Sequence, residues 1–290
     1  MNKYQRRFAL IGAILLAFTV GSQAQAQQDK TVAVFGSKIH YVEAGDAAKP
    51  NVILLHGLGS NVSSWQFNIA AISQNYHVIA LDQVGFGASD KPLLKYRVGT
   101  YVDFLDKFMS ELKIDKASLI GNSLGGWVAA LTAVKYPNRV EKLVLVDAAG
   151  IKPSEMDMDI IYSLNYSTRD EVRSLLKKVF YSQTIVGTDA FVEQSMAVRV
   201  ASGDAYTINS LIESIRRNED FVDGHLTEIK KPTLIIWGKQ DGLLKVADGE
   251  KYNRGIAGSE LVVFDQCGHV PQVEKAVDFN KTVIAYLAKK

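Results

Sequence analysis

The sequence predicts an α/β fold, in which helices cover both faces of a mostly parallel sheet. Four short segments are continuously apolar rather than alternating, at residues 52–55, 78–81, 143–146 and 234–237. Strands of this kind are buried on both faces, as they are in a parallel sheet covered by helices. Between them lie segments with helical periodicity, such as residues 100–112. A chain of 290 residues is long enough for one large domain with an insertion.

The first strands are expected to form a hairpin at one edge of the sheet. Residues 31–35 and 38–42 read as strands, and Gly36 and Ser37 lie between them as turn residues. A glycine in a two-residue connection is typical of hairpin turns.

The alternation of strands and helices stops after Gly150. From about residue 153 to residue 217 the chain has amphipathic segments and no strand-like run. Ligands of open α/β sheets bind beyond the carboxyl ends of the strands, so we expect residues 152–226 to form a helical cap over the site. An extra helical layer that contacts no ligand is the alternative. Helices are predicted over residues 155–164, 170–181, 189–200 and 205–217, with Ser154, Thr168, Thr188 and Asp204 as start signals. The core is then divided into residues 27–151 and 227–290.

The sequence GNSLG at residues 121–125 lies between an apolar run and a helical segment. A serine with glycine two residues away on either side, between a strand and a helix, is the pattern of a nucleophile elbow. The chain reverses so sharply there that side chains at Gly121 and Gly125 would collide with the turn. Ser123 is therefore the candidate nucleophile.

A second glycine-containing loop follows the strand at residues 52–55. A serine that attacks a carbonyl carbon needs N–H donors aimed at the developing oxyanion. In a nucleophile-elbow enzyme one donor is the residue after the serine, here Leu124, and the other lies in this earlier loop, here Leu58. Gly57 and Gly59 allow the loop to approach a substrate closely, and His56 is expected to order it through its ring nitrogens.

Two later strand ends supply a carboxylate and an imidazole. Asp241 follows the apolar strand at residues 234–237, and His269 follows the strand predicted over residues 260–264. The chain order serine, aspartate, histidine, with each residue just past a strand end, predicts a catalytic triad. Asp147 follows an earlier strand and is the rival for the acid. Asp241 is preferred because its strand immediately precedes the histidine strand.

These motifs resemble the α/β-hydrolase superfamily, in particular the esterases, lipases and carbon–carbon bond hydrolases that carry a helical cap. The resemblance covers roughly residues 31–288, and the loop at residues 82–90 is similar to the family's D-x-x-G-x-G-x-S segment. It implies an eight-stranded sheet whose opening hairpin is antiparallel. Ser123 stands where haloalkane dehalogenases and epoxide hydrolases carry aspartate, which excludes those two chemistries. Val270 stands where many ring-cleavage-product hydrolases carry tryptophan, which weakens the carbon–carbon alternative.

The predicted function is that of a serine hydrolase that cleaves carboxylic esters of small to medium apolar substrates through an acyl-enzyme, without a cofactor. Two alternatives stay open: a carbon–carbon bond hydrolase of the meta-cleavage type, and a ligand-binding homologue without turnover. The many apolar residues of the predicted cap favour an apolar cleft. An arginine turned inward would instead favour a carboxylate-bearing substrate, and the cap offers Arg169, Arg173, Arg199, Arg216 and Arg217.

Residues 1–26 are expected to be a signal peptide. Three basic residues precede the apolar run at residues 8–20, and Ala-Gln-Ala at residues 24–26 supplies a small-x-small cleavage pattern. The predicted location of the mature protein is the periplasm or the medium, with no stable membrane insertion. An uncleaved membrane anchor is the alternative.

Composition excludes several other classes of function. The chain has 33 Lys and Arg against 31 Asp and Glu, and removal of residues 1–26 with their three basic residues leaves a net charge of −1. Nucleic acid is therefore not an expected partner. The single cysteine, Cys267, excludes an internal disulfide and is interpreted as a packing residue. No metal-ligand spacing and no complete G-x-G-x-x-G is present, so neither a metal site nor a dinucleotide site is predicted.

Overall fold

The computed structural model describes residues 27–153 and 158–289, and within them eight strands form one sheet. The order across the sheet is β1-β2-β4-β3-β5-β6-β7-β8. β2 pairs antiparallel with both β1 and β4, and all other neighbours are parallel, which confirms the predicted fold class. The strands are β1 Gln28–Val34, β2 Ser37–Ala44, β3 Asn51–Leu55, β4 His77–Leu81, β5 Ala117–Asn122, β6 Val140–Val146, β7 Thr233–Gly238 and β8 Glu260–Phe264.

Helices cover the sheet on both faces, as the continuous apolar strands predict. In β3, Ile53 and Leu55 belong to one core, whereas Val52 and Leu54 belong to the core on the opposite face. The helices are α1 Ile69–Ile72, α2 Val98–Glu111, α3 Leu124–Lys135, α4 Met158–Ser163, α5 Arg169–Val179, α6 Asp189–Ser202, α7 Ala205–Arg216, α8 Val246–Gly255, α9 Pro271–Glu274 and α10 Ala276–Leu287. In the part of the chain that the structure describes, none of these is long and apolar enough to cross a membrane.

The hairpin turns one residue earlier than the sequence indicates. Val34 pairs with Ser37, so the two turn residues are Phe35 and Gly36, with φ of 50° and 80°. A turn with positive φ at both central positions matches the twist of the flanking strands. Ser37 therefore belongs to β2.

Between β6 and β7 the described residues form four α-helices, α4 to α7, and we call residues 158–216 the α4–α7 insertion. Thr168 caps α5, since its hydroxyl accepts from the N–H of Glu171 while the Glu171 carboxylate accepts from the N–H of Thr168. Thr188 caps α6 in the expected way. Asp204 precedes α7 but makes no side-chain cap, because its carboxylate is bonded to the α6 residues Arg199 and Ser202. The proposed start signal Ser154 and the predicted signal peptide lie outside the described residues.

Candidate active site

Ser123 occupies the sharp turn between β5 and α3. Its φ of 55° and ψ of −117° lie in a region that non-glycine residues rarely adopt, at a cost of about 1–3 kcal/mol. Main-chain bonds hold the turn: the Ser123 N–H donates to Val146 O at 3.0 Å, and the Trp127 N–H donates to Ser123 O at 3.1 Å. This is the geometry of a nucleophile elbow, with strain maintained by the surrounding strand and helix.

Both elbow glycines are required by close contact between backbones. A Cβ atom at Gly121 would lie 2.2 Å from the carbonyl oxygen of Gly125, and one at Gly125 would lie 2.1 Å from the carbonyl oxygen of Leu55. Main-chain oxygens at these distances cannot move away without opening the sheet. The turn therefore admits no side chain at either position.

The loop after β3 lies directly against Ser123. A Cβ atom at Gly57 would lie 3.3 Å from the Cβ of Ser123, and Gly59 adopts a φ of 65°. Within the described residues, the N–H groups of Leu58 and Leu124 donate no hydrogen bond to the protein. Unpaired N–H groups beside a serine hydroxyl are suited to receive an oxyanion.

The ring of His56 is hydrogen-bonded to this loop and to the loop after β4. Its Nδ1 is 2.7 Å from the carbonyl oxygen of Gly57, and its Nε2 accepts from the N–H of Gln83 at 3.0 Å. Because Nε2 must be an acceptor, the ring is neutral and its proton is on Nδ1. Complete burial lowers the pKa of His56, which keeps it neutral.

The structure brings Asp241 and His269 together. The His269 Nδ1 lies 2.7 Å from Asp241 Oδ2, and both side chains are sheltered from solvent. The other carboxylate oxygen of Asp241 accepts from the N–H groups of Leu243 and Leu244 at 2.8 and 3.0 Å. Since Nδ1 is engaged by the carboxylate, Nε2 is the ring nitrogen left for proton transfer.

Asp147, the rival for the acid, lies beside this pair. One ligand atom each of Asp147, Asp241 and His269 falls within 4.8 Å of the others. Asp147 Oδ1 accepts from the Gly238 N–H at 2.9 Å, but Oδ2 has no partner among the described residues. Burial and the neighbouring Asp241 raise the pKa of Asp147 well above its usual range, which favours the uncharged form of its carboxyl group. One atom each of His269 and Asp241 is already used in the hydrogen bond between them.

Two contacts at the site have no signal in the sequence. The Asn122 side chain donates to the carbonyl oxygens of His269 and Val146, at 3.0 and 3.2 Å, and so joins β5, β6 and the histidine loop. Glu274 accepts from the N–H of Gly268 at 2.7 Å. The sequence around Asn122 and Glu274 does not indicate these contacts, because their partners are main-chain groups that only folding brings close. Cys267 is fully buried and burial raises the pKa of its thiol, as suits a packing residue.

A cavity of about 1370 Å³ opens above Ser123 and His269. It exceeds the roughly 300–1,000 Å³ of ordinary small-molecule pockets. Its lining combines residues of the core and of the α4–α7 insertion, and most of them are apolar. Examples from the insertion are Ile161, Leu164, Leu175, Phe191 and Ile208, and examples from the core are Leu58, Trp127 and Val270.

Arg199 is the arginine of the insertion that turns inward. Its side chain is 9% exposed and lines the cavity, but its guanidinium already binds the carboxylate of Asp204 and the side-chain oxygen of Asn165. Of the other described cations at the cavity wall, Lys245 and Lys251 are exposed. Among the described residues, the lining therefore offers no buried cation without a carboxylate partner.

The elbow, the imidazole–carboxylate pair and the mostly parallel sheet together define a hydrolase of the α/β-hydrolase class. The sequence matches the family described as alpha/beta hydrolase fold over residues 50–276, and the chain belongs to this family. The resemblance noted from the motifs is thereby confirmed.

The chain is similar to two named hydrolases and to a phospholipase. A 2-hydroxy-6-oxononadienedioate/2-hydroxy-6-oxononatrienedioate hydrolase of Escherichia coli is 34% identical over 266 residues, which cover 87% of this chain and 91% of that protein. The structure of a meta-cleavage product hydrolase is 30% identical with a TM-score of 0.82, covering 89% of this chain and 97% of that one. The structure of a bacterial membrane phospholipase A is also 30% identical with a TM-score of 0.82, covering 90% and 86%.

Proposed function

We propose that this protein hydrolyses a carbonyl compound with Ser123 as nucleophile. His269 Nε2 takes the proton of the Ser123 hydroxyl as the oxygen attacks the carbonyl carbon, and then gives it to the leaving group. Asp241 keeps the ring in the tautomer with the proton on Nδ1 and stabilises the imidazolium. The observation that carries this assignment is the 2.7 Å contact between His269 and Asp241 at the wall of the cavity that Ser123 also lines.

The N–H groups of Leu58 and Leu124 form the oxyanion hole in this proposal. The negative charge that develops on the carbonyl oxygen needs donors that are already in place, and removal of one typically costs about 3 kcal/mol. The contact between Gly57 and Ser123 supports the position of the first donor. Water then attacks the acyl-enzyme with the same residues in reversed roles.

We propose carboxylic esters with apolar acyl or alkyl groups as the substrates. The cavity is large and mostly apolar, and the guanidinium of Arg199 forms an ion pair with the carboxylate of Asp204. A substrate carboxylate buried there without a cation would lose its hydration without compensation, whereas each buried methylene contributes about 0.8 kcal/mol. The likeness to a phospholipase A, an enzyme of ester hydrolysis by its name, supports this choice. In this proposal the α4–α7 insertion acts as the cap.

Carbon–carbon bond hydrolysis is the second candidate, and the names of the relatives favour it over ester hydrolysis. The relative from Escherichia coli and the meta-cleavage product hydrolase are both named for compounds whose hydrolysis breaks a carbon–carbon bond. The same serine, histidine and oxyanion donors could act on the ketone of a vinylogous diketone. Two features of the cavity speak against this candidate. The guanidinium of Arg199 is already paired with Asp204, which disfavours a dicarboxylate, and Val270 stands where many ring-cleavage-product hydrolases carry tryptophan.

One substrate panel separates the candidates. The purified protein is assayed with 4-nitrophenyl acetate, butyrate and octanoate, with dicarboxylate half-esters, and with a 2-hydroxy-6-oxo-dienoate followed by its conjugated absorption. We expect kcat/KM to rise with acyl length and to fall for the half-esters. Faster turnover of the dienoate than of every ester would assign the carbon–carbon reaction, and no turnover of any substrate would leave a ligand-binding homologue.

We also propose that the mature protein is exported and begins near Gln27. The support is the basic, apolar and small-residue pattern of residues 1–26. Mass spectrometry of the protein from a periplasmic fraction should find a chain without those residues. A full-length mass in the membrane fraction would show that the segment is an uncleaved anchor.

A further inference from the structure

The carboxyl end of α5 is hydrogen-bonded to both loops that carry the acid and the base. The carbonyl oxygen of Val179 accepts from the N–H of His269 at 2.7 Å, and that of Lys178 accepts from the N–H of Gly242 at 3.0 Å. The last carbonyl groups of a helix lack partners within it, so they are available to these loops. The α4–α7 insertion thus contacts the main chain of the catalytic loops as well as the cavity.

Glu274, at the end of α9, makes a second connection at the same place. Its Oε2 accepts from the N–H groups of Gly268 and Tyr181 at 2.7 and 3.3 Å, and its Oε1 accepts from the N–H of Ser182 at 2.9 Å. Gly268 immediately precedes His269, while Tyr181 and Ser182 follow α5. A single carboxylate therefore joins the histidine loop to the insertion, through bonds of the stronger, charge-assisted kind.

The glycines at this contact show that the approach is tight. A Cβ atom at Gly268 would lie 2.3 Å from the carbonyl oxygen of Val179, and one at Gly242 would lie 2.7 Å from that of Lys178. Neither glycine adopts a positive φ. Close packing of α5 against the two loops, rather than backbone conformation, is therefore what requires glycine at both positions.

We infer that Glu274 is a positioning residue: by holding the Gly268 N–H and the end of α5 together, it sets the place of the His269 ring relative to Ser123. The inference rests on the proposed role of His269, but not on which bond is cleaved.

Three variants test this role. Glu274→Ala removes both acceptor oxygens and with them all three hydrogen bonds, and Glu274→Gln keeps one acceptor oxygen. Glu171→Ala is the matched control, because the Glu171 carboxylate accepts from the N–H groups of Ser167 and Thr168 at the opposite end of the same helix. We expect Glu274→Ala to lower kcat by about 10- to 100-fold on a short ester, with KM within about 2-fold, since small misplacements of a catalytic group are costly. Glu274→Gln should be intermediate, and Glu171→Ala should keep its kcat.

Hydrogen exchange of the same variants gives a readout that does not depend on turnover. In Glu274→Ala, the amides of Gly268, His269 and Gly242 should exchange faster than in the wild type, and in Glu171→Ala they should not. Equal kcat in the alanine variants, with these amides still protected, would overturn the inference and leave Glu274 a purely stabilising residue. If Glu274→Ala does not fold, Glu274→Gln decides by the same comparison. If the proposed function itself were wrong, the Ser123→Ala variant would instead remain active.

Discussion

The side-chain amide of Asn122 donates to the main-chain carbonyl of His269 at 3.0 Å. The main-chain N–H of His269 donates in turn to the carbonyl oxygen of Val179 at 2.7 Å. The main chain of His269 is thus held by β5, through Asn122, and by α5 of the insertion. Its position depends on two elements that are distant in the sequence.

Replacement of Ser123 by alanine should abolish turnover and preserve the fold. Because a triad acts as a unit, loss of its nucleophile lowers kcat by about 10⁶-fold. The measurement is kcat on the best ester of the panel, with circular dichroism to check folding. Ser110→Ala, at an exposed serine in α2, is the control. Near-normal activity of Ser123→Ala would remove the central proposal.

The two neighbouring aspartates can be distinguished by the same substitution at each position. Asp241→Asn should lower kcat by about 10⁴-fold, because an amide in place of the carboxylate stabilises the wrong tautomer of His269. Asp147→Asn should keep kcat within about 10-fold, since burial raises the pKa of Asp147 and favours its uncharged form, which the amide resembles. The reverse order of the two activities would assign the acid role to Asp147.

The raised pKa of Asp147 should be visible in the pH dependence of stability. Below its unfolded pKa, near 3.9, Asp147 is protonated in both states. As the pH rises further, Asp147 loses its proton in the unfolded chain before it does so in the folded protein. The contribution of Asp147 to the free energy of unfolding therefore falls progressively until the pH reaches the raised pKa of the folded state.

Asp147→Asn has no proton to lose, and its free energy of unfolding should therefore gain on that of the wild type as the pH rises above about 4. Urea unfolding at several pH values measures the difference. Asp115→Asn, at an exposed position, should show no such trend. A constant difference between Asp147→Asn and wild type would mean that Asp147 is ionised in the fold.

The elbow glycines should be far less tolerant of alanine than a glycine in open space. Gly125→Ala places a Cβ against the Leu55 carbonyl oxygen and should destabilise the protein by about 3 kcal/mol or more. Gly224→Ala meets no atom within 4 Å and should change stability by less than about 0.5 kcal/mol. Thermal and urea unfolding of both variants tests this. Equal stabilities would show that the turn relaxes.

Much of the fold could be predicted because it depends on local patterns. Continuous apolar runs marked the central strands, since both faces of each strand are buried, and Thr168 and Thr188 marked the starts of α5 and α6. Asp204 was a weaker signal, because the neighbouring Arg199 competes for its carboxylate. The hairpin was shifted by one residue because Phe35 adopts a positive φ that its residue type does not indicate.

The sequence by itself determined the order of the elements, the glycine pattern of the elbow, and the strand ends at which Ser123, Asp241 and His269 lie. Such features follow from spacing and residue type, which are properties of the chain. Only the tertiary structure decided which aspartate is hydrogen-bonded to His269. It also decided that Asp147 lies beside this pair and that Arg199 forms an ion pair with Asp204. Those relationships depend on distances between groups many residues apart, and burial then changes the charge that each group carries.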